Sequence, residues 1–267
     1  MDLFRITNQS NFYGYPSNII KILVFLATIA AMTASAVAAS VVSHFENAEH
    51  TPADNFLSAV VIRSGSKHHC SGVILDGHWI ITTAHCVAKY TKEELHVSYQ
   101  SNGHQISSNV DAVVLHPGYK QGRLVNNVAL IKVKSEIDFN AVVQAAKLPT
   151  VDTEEDELAY AIGWEKVDGH SQPSGALKYY QTKVMALDLC WERLEDLDAV
   201  EVDDNVICTY GPTENTSPLL DNGSALVSVN KSELVGVSFW NEEGYSNVYS
   251  RVRSHLTWIN SVRYQNA

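Results

Sequence analysis

Basic residues are scarce in this chain. Its 267 residues include 19 Lys and Arg against 30 Asp and Glu, a formal net charge of −11. Phosphate binding needs clustered Lys and Arg, so the deficit argues against a nucleic-acid partner. The plain reading of the acid excess is solubility. Cysteine is scarce too: Cys70, Cys86, Cys190 and Cys208 are the only four. None of them forms a C-x-x-C pair, which weakens a zinc reading. The 11 His include His68, His69, His78 and His85 around the first two cysteines, yet no H-E-x-x-H occurs. They read as scattered surface His, with no metal site and no cofactor. No repeat, low-complexity tract or obvious linker interrupts the chain. Its length suits one large domain or two small ones, and 45% hydrophobic residues suffice for a core.

Charge is absent altogether from Ile22 to Val42, just after Lys21. The run ends in small residues, and Ala36-Val37-Ala38 fits an A-x-A cleavage site. Residues 1–38 therefore read as a secretory signal region, leaving a domain over 39–267 with a charge of −12. The segment before Lys21 is long and polar for a signal, and the apolar run is long enough to span a bilayer. A retained signal anchor is the alternative, and an over-extended start is a third reading. All four cysteines lie beyond this region, and an even count in an exported chain implies two disulfides. Three pairings are open. The close pairs, 70 with 86 and 190 with 208, are the simplest, each contributing about 3 kcal/mol in the chain-entropy model.

Runs rich in Val and Ile recur between turn residues: SAVVIRSG, HWIITTAH, DAVVLHPGY, NVALIKV and ELVGVSFW. Such runs favour strands, and many at short spacing point to a sandwich or barrel. Two segments read as helical. One lies over 187–197. The other closes the chain, with Val252, Leu256, Ile259 and Val262 on one face.

Several fragments carry a resemblance. Cys70-Ser71-Gly72-Val73-Ile74-Leu75 resembles a C-G-G-S-L-I strand, and Ile81-Thr82-Thr83-Ala84-His85-Cys86 is close to a T-A-A-H-C motif. Asn127-Val128-Ala129-Leu130-Ile131 is similar to D-I-A-L-L, and Ala161-Ile162-Gly163-Trp164 to a G-W-G turn. Asp221-Asn222-Gly223-Ser224-Ala225-Leu226-Val227 aligns with D-S-G-G-P-L-V. Val248-Tyr249-Ser250-Arg251-Val252 and Trp258-Ile259 match V-Y-T-R-V and W-I. In this order and spacing, from about Phe45 to the end, the fragments resemble the chymotrypsin-like serine proteases. The resemblance implies an all-β fold: two six-stranded antiparallel β-barrels with a C-terminal α-helix. It also implies the disulfides Cys70–Cys86 and Cys190–Cys208.

Acyl transfer in that family needs a hydroxyl nucleophile, a His base, an Asp that holds the base in its tautomer, and backbone donors for the oxyanion. By resemblance His85 is the base. Asn127 stands where the Asp belongs, and Asn222 where the Ser belongs. In a protease of this fold the Asp-to-Asn change alone costs about 10⁴ in kcat. A carboxamide at 222 is a poor nucleophile. Ser224 is two residues, and so several ångströms, from the required place. Leu220 replaces the Gly of the oxyanion loop. Phe239-Trp240-Asn241 replaces S-W-G, Asn247 replaces a pocket-wall Gly, and Thr216 falls at the pocket floor. Asn241 and Asn247 are expected to narrow or fill the specificity pocket. The family's activation sequence is absent too: Phe45-Glu46-Asn47-Ala48 follows Ser43-His44, with no basic cleavage residue. Asp221 then lacks its usual partner, and an unpaired buried carboxylate is costly. The resemblance offers His68 in a zymogen-like pair. An ordinary surface His beside His69 is the other reading.

Asn222, Asn215 and Asn230 each begin an N-x-S sequon, with Asn230 in an expected hairpin turn. Asn8-Gln9-Ser10 precedes the signal and is discounted. The acidic run at 152–157, DTEEDE, reads as a solvated loop or as a docking surface for a basic partner. The resulting expectation is a secreted, catalytically inactive homologue: a binding, regulatory or decoy protein in an extracellular proteolytic, reproductive or immune pathway. Its expected partner is an active serine protease, a zymogen or an inhibitor. The alternatives are a weak or atypical endopeptidase and, if residues 22–42 are retained, a membrane-anchored interaction protein.

Overall fold

The computed structural model describes residues 57–167, 170–195, 201–211, 220–241 and 246–265. The signal region at 1–38, the stretch at 45–48, Asn215 and Thr216 lie outside the described residues. Six strands form the first half: β1 (Ala59–Ser64), β2 (Lys67–Ile74), β3 (Trp79–Thr82), β4 (Leu95–Ser101), β5 (His104–Leu115) and β6 (Ala129–Val133). They close into an antiparallel barrel in the order β1-β2-β3-β6-β5-β4. Local sequence sets the turns. Asn102-Gly103 joins β4 to β5, and both residues have positive φ, 49° and 79°. That is the geometry of a type I′ hairpin, which favours Asn-Gly. Val60, Ile62, Ile74, Ile80, Leu95 and Ile131 fill this barrel.

The second half contains β7 (Leu158–Val167), β8 (His170–Lys183), β9 (Val206–Thr209), β10 (Ala225–Ser228), β11 (Leu234–Trp240) and β12 (Asn247–Arg251). Its strand order is β8-β7-β10-β11-β12-β9. By strand pairing it is a half-barrel, the second of the two six-stranded antiparallel barrels that the sequence led one to expect. Its two edges meet at a single antiparallel bridge, Val184 to Thr209. The contact is strengthened by Met185 N–H donating to the Cys208 carbonyl at 2.8 Å.

Among the described residues three helices accompany the strands: α1 (Ala84–Val87), α2 (Leu187–Leu194) and α3 (Val252–Gln265). The buried face of α3 is Val252, His255, Ile259 and Val262. Leu256, which the spacing places on that face, is partly buried and packs against the same core, and His255 is buried beside it. The inward residues pack with Val73, Trp79, Ile81 and Leu130 of the first barrel and with Val237 of the second. Arg263 fastens the helix further: its guanidinium donates to Asp76 Oδ2 through Nε and NH2, each at 2.7 Å. Asp76 Oδ1 meanwhile accepts the backbone N–H groups of His78 and Trp79. One carboxylate thus shapes the β2–β3 turn and anchors the C-terminal helix.

His255 sits edge-on to His116, with ring centroids 5.1 Å apart, and His116 is edge-on to Trp258 at 4.9 Å. Burial, helped by the facing His255, pushes His116 down to about 4. Burial also lowers His255, against the opposing pull of its hydrogen bond to the Arg251 carbonyl and of Asp203. Both folded values lie below the unfolded value of about 6.5. Between those limits the unfolded chain binds more protons. Stability is therefore complete above about pH 6.5 and falls as pH drops toward 4. Because His116 is only half-buried, its share is expected to be about 1–2 kcal/mol after solvent screening. Urea unfolding of the protein and of His116→Phe between pH 7 and 4.5 measures it. A variant whose pH slope equals that of the parent would assign the slope elsewhere.

Candidate functional site

The site is assembled where the loop before β10 meets β2, β3 and α1. His85 is the second residue of α1, and the adjacent Cys86 is bonded to Cys70 of β2, with Cα atoms 6.3 Å apart. This staple holds the one-turn helix against the barrel wall. The second disulfide joins Cys190 of α2 to Cys208 of β9, with Cα atoms 6.0 Å apart.

Asn127 is 1% exposed and holds His85 at two points. Its side-chain oxygen accepts the backbone N–H of His85 at 2.9 Å. Its amide nitrogen lies 2.8 Å from His85 Nδ1. The first bond fixes which end of the amide is which, since a flipped amide would set two donors against each other. Asn127 therefore donates to Nδ1, which must act as an acceptor. The proton of the neutral ring then resides on Nε2. An aspartate at 127 would impose the opposite tautomer, with Nδ1 protonated and Nε2 carrying the lone pair. Ser250 Oγ donates to the Asn127 carbonyl at 2.8 Å and braces the residue from the second sheet.

Backbone contacts fix the loop at 220–224. Ser71 N–H donates to the Asn222 carbonyl, and Gly223 N–H to the Ser238 carbonyl, each at 2.7 Å. Gly223 has φ +89°, and a Cβ there would strike the Ser71 carbonyl. Only glycine fits both the dihedral and the space. Asn222 itself is half-buried.

Asp221 is 4% exposed, and both its oxygens are occupied. His68 Nε2 and Ser71 Oγ each lie 2.6 Å from Oδ2. Ser224 Oγ donates to Oδ1 at 2.7 Å, and Trp164 N–H to the same oxygen at 3.2 Å. The structure thus brings His68 and Asp221 together as a buried pair, with the His68 ring edge-on to Trp164 at 5.7 Å. The roles of Ser71 and Ser224 were missed in the sequence. The signal for Ser71 was present, as a hydroxyl residue after Cys70 where the resembled motif has glycine. Ser224, the discounted substitute nucleophile, is 1% exposed and engaged with Asp221.

Leu220 turns inward. It is 3% exposed and packs with Tyr180, Val184, Ile207, Leu226 and Tyr249. Its carbonyl accepts the side-chain amide of Asn241 at 2.8 Å, and the same amide reaches Ser238 Oγ at 3.3 Å. Asn247 is buried, with its amide nitrogen 3.3 Å from the Tyr180 hydroxyl. Burial raises both neighbouring phenols, Tyr180 well above its ordinary value and Tyr249 to about 12. They stay neutral and hydrogen-bonded to one another. Trp240 is half-buried against the cluster of Met185, Cys190 and Phe239. Asn230 is exposed, in the turn between β10 and β11. Within the acidic run, Asp156 pairs with Lys183 at 3.4 Å, and Glu157 accepts from Ser228 Oγ at 2.6 Å and from Lys231 Nζ at 3.0 Å. Burial pushes the Glu157 carboxyl up, but these hydrogen bonds outweigh it and hold the group below its ordinary value. Among the described residues no group of His, Cys, Asp and Glu has the arrangement to hold a metal ion.

A closed barrel facing a half-barrel, with a His on a disulfide-pinned turn and a glycine-dependent loop between them, is the architecture of the trypsin-like fold. The trypsin family model matches residues 46–259, and the chain belongs to the trypsin family. It is 28% identical to trypsin alpha-4 of Lucilia cuprina over 208 residues, 75% of this chain and 79% of that protein. It is 24% identical to trypsin-4 of Rattus norvegicus over 214 residues, 78% of this chain and 85% of that one.

Proposed function

We propose that the chain is a secreted, catalytically inactive member of the trypsin family that works by binding, as a regulator or decoy in an extracellular proteolytic pathway. One observation carries the reading: Asn127 donates to His85 Nδ1 beside a loop whose nucleophile position is Asn222. A His protonated on Nε2 cannot accept a proton there, and no hydroxyl stands at 222 to supply one. Asn241 and Asn247, at positions that the resemblance assigns to the specificity pocket, and Leu220, at the position of the oxyanion-loop glycine, support it through the bonds and packing they make with their own surroundings. The two disulfides suit an oxidising compartment.

The test is incubation with peptide libraries and a fluorophosphonate probe, followed by crosslinked capture of partners from extracellular fluid. No turnover and no labelling are expected, together with recovery of an active serine protease, its zymogen or its inhibitor. Cleavage that disappears in His85→Ala would overturn the inactive reading. Capture of non-protease ligands alone would overturn the regulatory one.

A further inference from the structure

The outward face of α2 has no role in the site above. On this helix Asp188, Trp191, Glu192 and Glu195 follow at spacings of three, one and three, which places them on one stripe. All four are exposed, and Trp191 at 56% is among the most exposed large apolar side chains among the described residues. The opposite face is buried through Cys190 and Leu194, and the Cys190–Cys208 disulfide holds it. The stripe is therefore presented on a rigid support. Asp188, Glu192 and Glu195 have no cationic partner among the described residues; Asp188 only accepts the N–H of Leu189. The one basic residue of the helix, Arg193, lies over the Tyr210 ring at 5.6 Å, to the side of the stripe.

Asp188 suits the first turn of the helix, but local energetics do not account for Glu192 and Glu195. Asp188 and Glu192 repel at four residues, and Glu192 and Glu195 at three. Glu192 in the last turn and Glu195 at the C-cap also oppose the helix dipole. In sequence, the segment at 188–204 carries eight acids and one base, net −7 of the chain's −11. An exposed indole among unpaired carboxylates suits a guanidinium or ammonium group, which stacks on the ring and satisfies the carboxylates.

We propose that this face of α2 docks an arginine- or lysine-bearing segment of another protein, with Trp191 as the anchor and Asp188, Glu192 and Glu195 as its charge partners. The reading does not depend on whether the chain is catalytic, since the stripe uses none of the site residues. The probe is a fluorescein-labelled nonapeptide of alternating Arg and Gly, titrated into the full chain at low salt and followed by anisotropy. Saturable binding is expected, weakening as salt rises. Trp191→Ala is expected to weaken it about ten-fold. The double variant Glu192→Gln/Glu195→Gln is expected to weaken it by about the same factor while raising the melting temperature, because the repulsion is removed. Asp152→Asn/Glu155→Asn, in the other acidic run, should leave affinity unchanged. Equal weakening by that control would reduce the effect to general charge attraction and overturn the proposal. So would the absence of saturable binding, or a Trp191→Ala affinity equal to that of the parent.

Discussion

His68→Ala is expected to lower the unfolding free energy by about 3 kcal/mol, the low end for removing one partner from a buried pair. His68 and Asp221 lie 2.6 Å apart, and their side chains are only 8% and 5% exposed. Without the imidazole, Asp221 keeps Ser71, Ser224 and the Trp164 N–H but gains no solvent in exchange. Hydrogen bonds from hydroxyls offset part of the burial cost, which places the effect at the low end of the range. Urea unfolding measures it. Asp221→Asn is the companion variant, since it removes the charge and keeps the shape. If the His68→Ala loss stays below about 0.5 kcal/mol, the pair is a bystander, and the loop at 220–224 is held by its backbone bonds alone.

The second large effect concerns chemistry. Asn222→Ser alone is expected to leave the protein unreactive toward a fluorophosphonate, because Asn127 still keeps the His85 proton on Nε2. Adding Asn127→Asp should raise the labelling rate by at least about 10³, since the carboxylate accepts from Nδ1 and frees Nε2 as a base. Peptide turnover in the double variant should nonetheless remain poor, with the Leu220 carbonyl bonded to Asn241 and its side chain packed against Tyr180 and Tyr249. Equal labelling of the single and double variants would show that the tautomer is not the controlling factor. Efficient peptide turnover would show that the loop rearranges without difficulty.

Both effects depend on contacts of different visibility in the sequence. The strands were legible because Val- and Ile-rich runs between turn residues state a local preference, and β1, β3, β6 and β11 lie within the runs that suggested them. The family was legible because ordered motifs survive at their spacing, and the asparagines at 127 and 222 are read directly as residue identities. The helix face was less legible. His255 is a further buried position on that helix, because His116, Asn126 and the Arg251 carbonyl supply polar surroundings that a periodicity count does not see.

What the sequence by itself determined is the inventory: an acidic chain, four cysteines in two close pairs, barrel-forming strands, and asparagines at 127 and 222, where the family resemblance leads one to expect a carboxylate and a hydroxyl. Only the tertiary structure decided how those groups are used. His68 and Ser71 reach Asp221 across 153 and 150 residues of chain, and Asn127 meets His85 across 42. Such partners are chosen by how one barrel seats against the other sheet, since hydrogen bonding is short-ranged and directional while the chain between the groups is long. The direction of the Asn127 amide, the inward turn of Leu220 and the burial of Ser224 all follow from that seating. Local sequence contains no term for any of them.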